Sequence, residues 1–472
     1  MNSKSFWLML LIASFFAGCS KGGITAFQHV NLVSMTDEKI VKNQTVLVEG
    51  NRIIGIGLSN EMAIPKRATL IDGSGAHLMP GLADMHMHTR DDWLNPAWPV
   101  SPFDLYLANG VTTIRCFGPL GESPNYLLIW RDAINKGKLS GPTVITCGSI
   151  LYGPVEDPQK FVREQKDGGF DFVKIYSYVS KDEFHTAMTT AKQVGIYTAG
   201  HIPFSVRLDG VLSEGMDEIA HIEELDFEFI DFDTTKKLAP LELFRYILAT
   251  AARQHKTLIG IDIEDLERRY GKTISITVDK LRSANVPVCT TLVIGEGIVK
   301  KLHETDAFLA RPENKYMCKG YFEAFHQGKE KHQLIFEGYE DVASFKHTLE
   351  RLLLIKLKKA GIPLLLSTDA GTGGMGIVPG FSIHDELRIL VENGFSPYEA
   401  IAAGTVNASR VIQAMTGADD FGTIEVGKRA DLLLLEENPL DDVRHIKNIH
   451  GVMAAGRWYS KAKLQDMIAL KQ

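Results

Sequence analysis

The chain has 472 residues, of which 45% are hydrophobic and 23% charged, and 51 basic against 58 acidic side chains give a formal net charge of −7. That length and apolar content support one large core with a smaller satellite domain and exclude an intrinsically disordered chain. The charge balance offers no basic surface for nucleic acid, so a small or peptide-like substrate is the expected partner.

Residues 1–18 read as a targeting segment outside the fold. Lys4 is followed by an apolar run from Phe6 to Phe16, far short of the ~20 residues a membrane-spanning helix requires. The run ends in Phe16-Ala17-Gly18-Cys19, which resembles the lipobox of bacterial lipoproteins, with Phe16 standing where Leu is usual. The resemblance implies cleavage before Cys19, lipidation of that residue, and anchoring of the exported protein on the periplasmic side or at the cell surface. A plain signal peptide with an incidental Cys is the alternative. The remaining cysteines, Cys116, Cys147, Cys289 and Cys318, have no metal-knuckle spacing, and three lie in apolar runs. Buried free thiols are expected.

From residue 25 to 80 short alternating segments broken by Gly, Asn and Asp give a β-rich pattern, and the same texture returns from Gly422 to Ser460. Neither end can close a core alone, so the expected satellite is one small β-sandwich built from residues 19–79 and 419–472. Between them, over 80–418, eight apolar β runs alternate with helical stretches. The runs are HLMPGLADMHMH, GVTTIRCFG, GPTVITCGS, FDFVKIY, GIYTAGH, DEIAHIE, VPVCTTLV and GIPLLLSTDAG. Amphipathic segments at 180–194, 239–255 and 382–413 supply the helices. Eight strands in this alternation predict an α/β chain folded as a closed (β/α)8, TIM-type barrel. The long stretch 300–360 reads as an enlarged loop helix over the barrel mouth.

In such a barrel the C-terminal strand ends converge, so polar residues there become neighbours. The first run ends in His86-Met87-His88, whose alternation puts both imidazoles on one face. Lys174 is embedded in FDFVKIY, the fifth and sixth runs end near His201 and His221, and the eighth ends at Asp369. Singly, each has a plainer reading: a chance H-x-H, a lysine snorkelling to the rim, an aspartate forming a turn. Together, four imidazoles, a buried lysine and a carboxylate at separate strand ends fit nitrogen and oxygen ligation of a zinc-like metal.

These residues, with the blocks PGLADMHMH, GVTTIR, FVKIY, GH followed by AHIEEL, LSTDAG, HDEL with GTVNASR, and GKRADLLLL, resemble the amidohydrolase superfamily, close to its imidazolonepropionase-like and Xaa-Pro dipeptidase-like members. The resemblance implies a lysine at position 174 carboxylated by CO2 and bridging two divalent cations, with zinc the expected metal. His86, His88 and Asp369 would hold one cation, His201 and His221 the other. The implied reaction is hydrolysis of a carbon–nitrogen bond in an amide, dipeptide or cyclic amide by a metal-activated hydroxide, with Asp369 as general base and acid. Tyr176 or His221 is a candidate donor to the oxyanion, although a rim aromatic explains Tyr176 equally well. A one-metal deaminase or imidazolone-ring hydrolase with unmodified Lys174 is the second reading, and an inactive binding lipoprotein the third. Cys116 stands where similar proteins commonly carry an acidic residue, and His384 of HDEL is expected to orient the helix after the eighth strand rather than to bind metal. The βα loops 90–105, 149–160, 177–183, 225–238 and 300–360 would set specificity, with Trp93, Trp98, Tyr152 and Tyr178 as aromatic candidates. Substrate identity and homo-oligomerisation stay open.

Overall fold

The computed structural model describes residues 23–470 apart from 122, 237, 256–259, 261 and 419. The targeting segment and Cys19 lie outside the described residues. Both chain ends feed one mixed sheet. Its N-terminal strands are β1 (Ile24–Val33), β2 (Ile40–Glu49), β3 (Arg52–Leu58), β4 (Thr69–Asp72) and β5 (His77–Pro80). The central strands are β6 (Leu82–Met87), β7 (Val111–Cys116), β8 (Thr143–Leu151), β9 (Phe172–Ile175), β10 (Tyr197–Gly200), β11 (Glu218–Ile219), β12 (Val288–Cys289) and β13 (Leu364–Leu365). The C-terminal strands β14 (Leu432–Leu435), β15 (Ile449–Ala454) and β16 (Arg457–Ser460) return to the first sheet, in the order β16-β15-β14-β5-β1-β2-β3 with β4 beside β1. The sheet wraps an apolar core that takes Phe27, Val46 and Leu78 from one end of the chain and Leu432, Leu434 and Met453 from the other. Neither end buries that core without the other.

The central strands pair in strict sequence order, all parallel. The sheet closes where Met85 N donates to the Leu366 carbonyl at 2.9 Å and Asp369 N donates to the His86 carbonyl at 2.7 Å. Each of the eight apolar runs therefore supplies one strand of a TIM-type barrel. Every residue of β6 and β7 is buried, as expected for strands filled inside and covered by helices outside. Across the interior the Arg115 guanidinium forks onto both oxygens of Glu218, with Nη1 to Oε2 at 2.7 Å, and its Nε donates to the Met85 carbonyl at 2.8 Å. Both side chains are fully buried, a pair that satisfies its charges only because the geometry is bidentate.

Three boundaries differ from the sequence pattern. The first run serves two sheets: His77–Pro80 belongs to the terminal sheet and Leu82–Met87 to the barrel, with Gly81 N donating to the Asp431 carbonyl at 2.9 Å. Residues 382–413 form three helices, Ser382–Glu392, Pro397–Ala403 and Val406–Thr416, because Gly394 turns left-handed and Ser396 with Glu399 builds a capping box before Pro397. The 300–360 stretch is likewise more than one loop helix. Helices Leu292–His303, Thr305–Leu309 and Lys319–Phe336 cover the mouth, while Glu340–Lys359 is the barrel helix that leads into β13. All four described cysteines are buried and free.

A Cβ on Gly81 would meet Thr112 Oγ1 at 2.1 Å and its Cγ2 at 2.5 Å. Gly81→Ala should lower stability by roughly 1–3 kcal/mol, the usual cost of overpacking. Urea unfolding of Gly81→Ala, alone and with Thr112→Ala, measures this, and the double variant should recover part of the loss.

Candidate metal centre

Five of the six residues, His88, Lys174, His201, His221 and Asp369, line one cavity, His86 adjoins it through Asp369 and His221, and the backbone fixes how. His86 Nδ1 lies 2.9 Å from the Ala220 carbonyl and His88 Nδ1 2.9 Å from the Gly118 carbonyl. A carbonyl only accepts, so both imidazoles carry their proton on Nδ1 and present the Nε2 lone pair inward. Those lone pairs face a carboxylate: Asp369 Oδ1 is 3.4 Å from His86 Nε2 and 3.1 Å from His88 Nε2. Asp369 holds a left-handed backbone with φ 60°, a conformation Asp tolerates better than most residues. Next to it Gly371 has φ 103°, and a Cβ there would meet the His88 carbonyl oxygen at 1.8 Å, so only glycine lets the two strand ends approach.

His201 and His221 complete the ring of imidazoles. Their centroids are 4.8 Å apart, and His221 lies 4.2 Å from His86. His201 Nδ1 sits 2.9 Å from Ser177 Oγ and 2.5 Å from Glu224 Oε1. Glu224 is in turn fixed by the Ile202 N–H at 3.0 Å on its other oxygen. His221 Nδ1 contacts Thr291 Oγ1 at 3.1 Å, and Thr291 pays for that position with φ 44°, unusual for a β-branched residue. His86, His221 and Asp369 offer one ligand atom each within 4.8 Å of one another.

Lys174 stands on β9, 1% exposed, with no hydrogen-bond partner for Nζ, which lies 4.7 Å from the Phe117 ring centroid. Burial pulls its ammonium down to about 8, against the opposing pull of Asp369 and Glu224. Burial likewise pulls His86, His201 and His221 far below the usual imidazole range. Burial acts against the charge on Asp369, yet the contact with His88, reinforced by His221 and Lys174, holds its carboxyl below the usual range. The result is a ring of imidazoles and one amine crowded around an anion. Two of its buried nitrogens, His86 Nε2 and Lys174 Nζ, have no hydrogen-bond partner. Facing acceptors at this separation need a positive centre between them, and the donor set of imidazoles with a carboxylate suits a divalent metal.

Tyr176 lines the same cavity, which has a volume of about 440 Å³. It stacks on Tyr152 at 4.6 Å and sits 4.3 Å from the His201 ring. Burial, then the neighbouring Tyr178 and Tyr152, push its hydroxyl up, so it stays a donor. Tyr152 also lines this cavity, whereas Tyr178 faces an adjoining pocket. Trp93 and Trp98 do not serve as substrate aromatics: both are buried, Trp93 against Phe103 and Tyr106 and Trp98 against Tyr321. Cys116 does not line the cavity and contacts Thr89 Oγ1 at 3.5 Å. His384 makes no hydrogen bond through either ring nitrogen. In HDEL it is Glu386 that anchors, accepting from Leu292 N at 3.0 Å and Val293 N at 2.9 Å and so capping the helix over the mouth.

Sequence reasoning missed the supports. Asp84, two residues before His86, accepts from Thr368 Oγ1 at 2.6 Å and from Thr368 N at 3.1 Å, fixing the turn that carries Asp369; burial raises its carboxyl to about 7. Phe117 stacks on His86 at 3.9 Å. Glu224 lies within AHIEEL, but its partner His201 is 23 positions away, and only the fold joins them.

Known proteins resemble this chain over part of its sequence and across its fold. Residues 320–459 match the amidohydrolase family. The ochratoxinase of Aspergillus niger is 38% identical over 87 residues, 18% of this chain and 16% of that protein. An imidazolonepropionase from Shouchella clausii is 32% identical over 107 residues, 21% of this chain and 22% of that protein. The chain thus spans less than a quarter of these curated relatives. The fold similarity runs much further. A Xaa-Pro dipeptidase solved with bound methionine superposes with TM-score 0.62 at 18% identity over 93% of this chain and 100% of the other. The ochratoxinase structure superposes with TM-score 0.60 at 17% identity over 93% and 96%.

Glu224→Gln would keep the shape but remove the anionic partner of His201 Nδ1. It should weaken metal binding by about 10- to 100-fold, read by chelator competition, with little change in unfolding midpoint for the metal-free protein.

Proposed function

We propose that the chain is a metal-dependent hydrolase of carbon–nitrogen bonds acting on a small amide, dipeptide-like or cyclic substrate. The observation that carries this reading is the pair of buried imidazoles aimed, with their outer nitrogens committed to backbone carbonyls, at the Asp369 carboxylate. His86, His88 and Asp369 would hold one divalent cation, His201 and His221 a second, and a carboxylated Lys174 both. Such cations supply Lewis acidity, acidifying a water and polarising the scissile carbonyl.

The chain's own groups would do the rest. The lowered Lys174 ammonium leaves a share of free amine near neutrality; its nitrogen forms a bond to the CO2 carbon and loses a proton, giving the carbamate. Asp369, held ionised, can take a proton from the attacking water and return it to the departing amine nitrogen. Tyr176, protonated at the cavity wall, can donate to the developing oxyanion. Phe117 and the helices over the mouth keep bulk water from the buried nitrogens.

A one-metal reading is favoured by a specific feature, the tight cluster of His86, His221 and Asp369. Metal analysis separates the two. Close to two equivalents per chain is expected, and one stable equivalent with full activity would select the mononuclear enzyme. Asp369→Asn should lower kcat/KM by at least about 10²-fold with the fold intact by circular dichroism, and unchanged activity would remove Asp369 from the reaction.

The reading extends to location. Residues 1–18 would direct export, and lipid on Cys19 would hold the enzyme on the outer side of a membrane. Among the described residues no helix is long and apolar enough to cross a membrane. Cys19→Ala should move the protein from the detergent phase to the aqueous phase in a phase-separation assay; an unchanged distribution would refute lipid anchoring.

A further inference from the structure

Beside the metal cavity lies a second pocket of about 160 Å³, between the turn Ile222–Phe229 and helices Pro240–Gln254 and Glu340–Lys359. Tyr178, Phe204, Phe227, Phe244, Ile247 and Leu248 form its apolar walls. It shares Tyr176, His201 and Glu223 with the metal cavity, so the two lie side by side.

Ser177, His201 and Glu224 line the pocket beside the metal cavity, and around Asp226 and Lys346 the charges do not balance. Glu223, Asp226 and Glu350 are gathered around a single cation, Lys346. Its Nζ is 2.7 Å from Glu223 Oε2 and bonds Glu350 Oε1, but stands 3.4 Å from Asp226 Oδ2. His347 reaches only Glu350, at 3.3 Å, and Glu224 is already engaged by His201 and Ile202 N. Asp226 is 3% exposed and lines the pocket, and neither of its oxygens accepts a hydrogen bond. A buried carboxylate without donors costs several kcal/mol unless a proton or a cation meets it. Burial pushes the Asp226 carboxyl well up, against the pull of Lys346, a cation it shares with Glu223 and Glu350. The aromatic rings beside it are surfaces that favour an organic cation over an anion.

We propose that this pocket takes the cationic side arm of the substrate, a primary ammonium or guanidinium on an apolar stem, with Asp226 as its counter-ion and the ring-lined walls around the stem. The word substrate rests on the hydrolytic reading above; cation binding does not, and can be measured without turnover.

The test is calorimetric titration of the full chain in its metal-loaded form with n-pentylammonium chloride and with 1-pentanol, which share a stem and differ in charge. The ammonium should bind at least about tenfold more tightly, a difference of about 1.4 kcal/mol. Asp226→Asn should erase that advantage while leaving the weak pentanol affinity alone. Equal binding of the two probes by the wild-type protein overturns the proposal and needs no variant to fold; an Asp226→Asn protein that keeps the preference overturns it too. Ammonium binding by the metal-loaded wild-type protein without hydrolysis of any amide refutes the hydrolytic reading and leaves the pocket, whereas hydrolysis without ammonium discrimination refutes the pocket alone. On an active enzyme, dipeptides bearing lysine should exceed their norleucine counterparts in kcat/KM by at least about tenfold, and a preference for norleucine would overturn the assignment of the arm to substrate.

Discussion

The structure turns on a short set of bonds from imidazole Nδ1 atoms to fixed acceptors. Once His86 and His88 give their Nδ1 protons to the Ala220 and Gly118 carbonyls, their remaining nitrogens can only accept. They accept next to a carboxylate, within a barrel end that excludes water. That arrangement is unfavourable by itself and becomes favourable when a cation joins it. The barrel supplies the rigidity that holds the mismatch: the acceptors are backbone atoms of neighbouring strands, which cannot turn away.

The support is graded around the site. On one side, Asp84 and Gly371 shape the turn that carries Asp369, the first by binding Thr368 and the second by allowing the His88 carbonyl to approach. On the other, Glu224 makes the strongest outer contact, to His201, and links the metal cavity to the acidic pocket behind it. Beneath them, Phe117 separates the polar ring from the Arg115–Glu218 pair in the barrel interior, with the guanidinium 4.7 Å from its ring centroid. Two buried charge systems therefore share one barrel, the lower neutralised by its own partners and the upper left open to a metal.

The mouth is closed by helices that a simple barrel lacks. Leu292–His303 is pinned by Glu386, and Lys319–Phe336 brings Lys331 and His332 to the cavity wall. The adjoining pocket is walled by a separate insertion, helix Pro240–Gln254, between β11 and β12. The candidate ligands thus stand at or just past strand ends, whereas one pocket wall is an inserted helix that can vary without disturbing those ends.

Much of this was legible in the sequence, for a physical reason. Alternation along a strand and the convergence of strand ends are local or topological rules, so the His, Lys and Asp residues in or at the ends of five of the eight apolar runs could be expected at one barrel mouth. The terminal sheet was legible for the same reason, since two half-sheets with turn glycines need each other. What the sequence could not decide is whatever depends on distances across the fold. Glu224 and Asp84 look like ordinary acids until His201 and Thr368 come beside them, and Trp93 looks like a binding aromatic until Phe103 and Tyr106 enclose it. His384 and Glu386 share one helix, yet only packing shows that Glu386 faces a helix N-terminus and that His384 finds no hydrogen-bond partner. The acidic pocket is the clearest case. Glu223, Asp226, Lys346 and Glu350 come from two segments more than a hundred residues apart, and their charge imbalance exists only because tertiary structure buries them together.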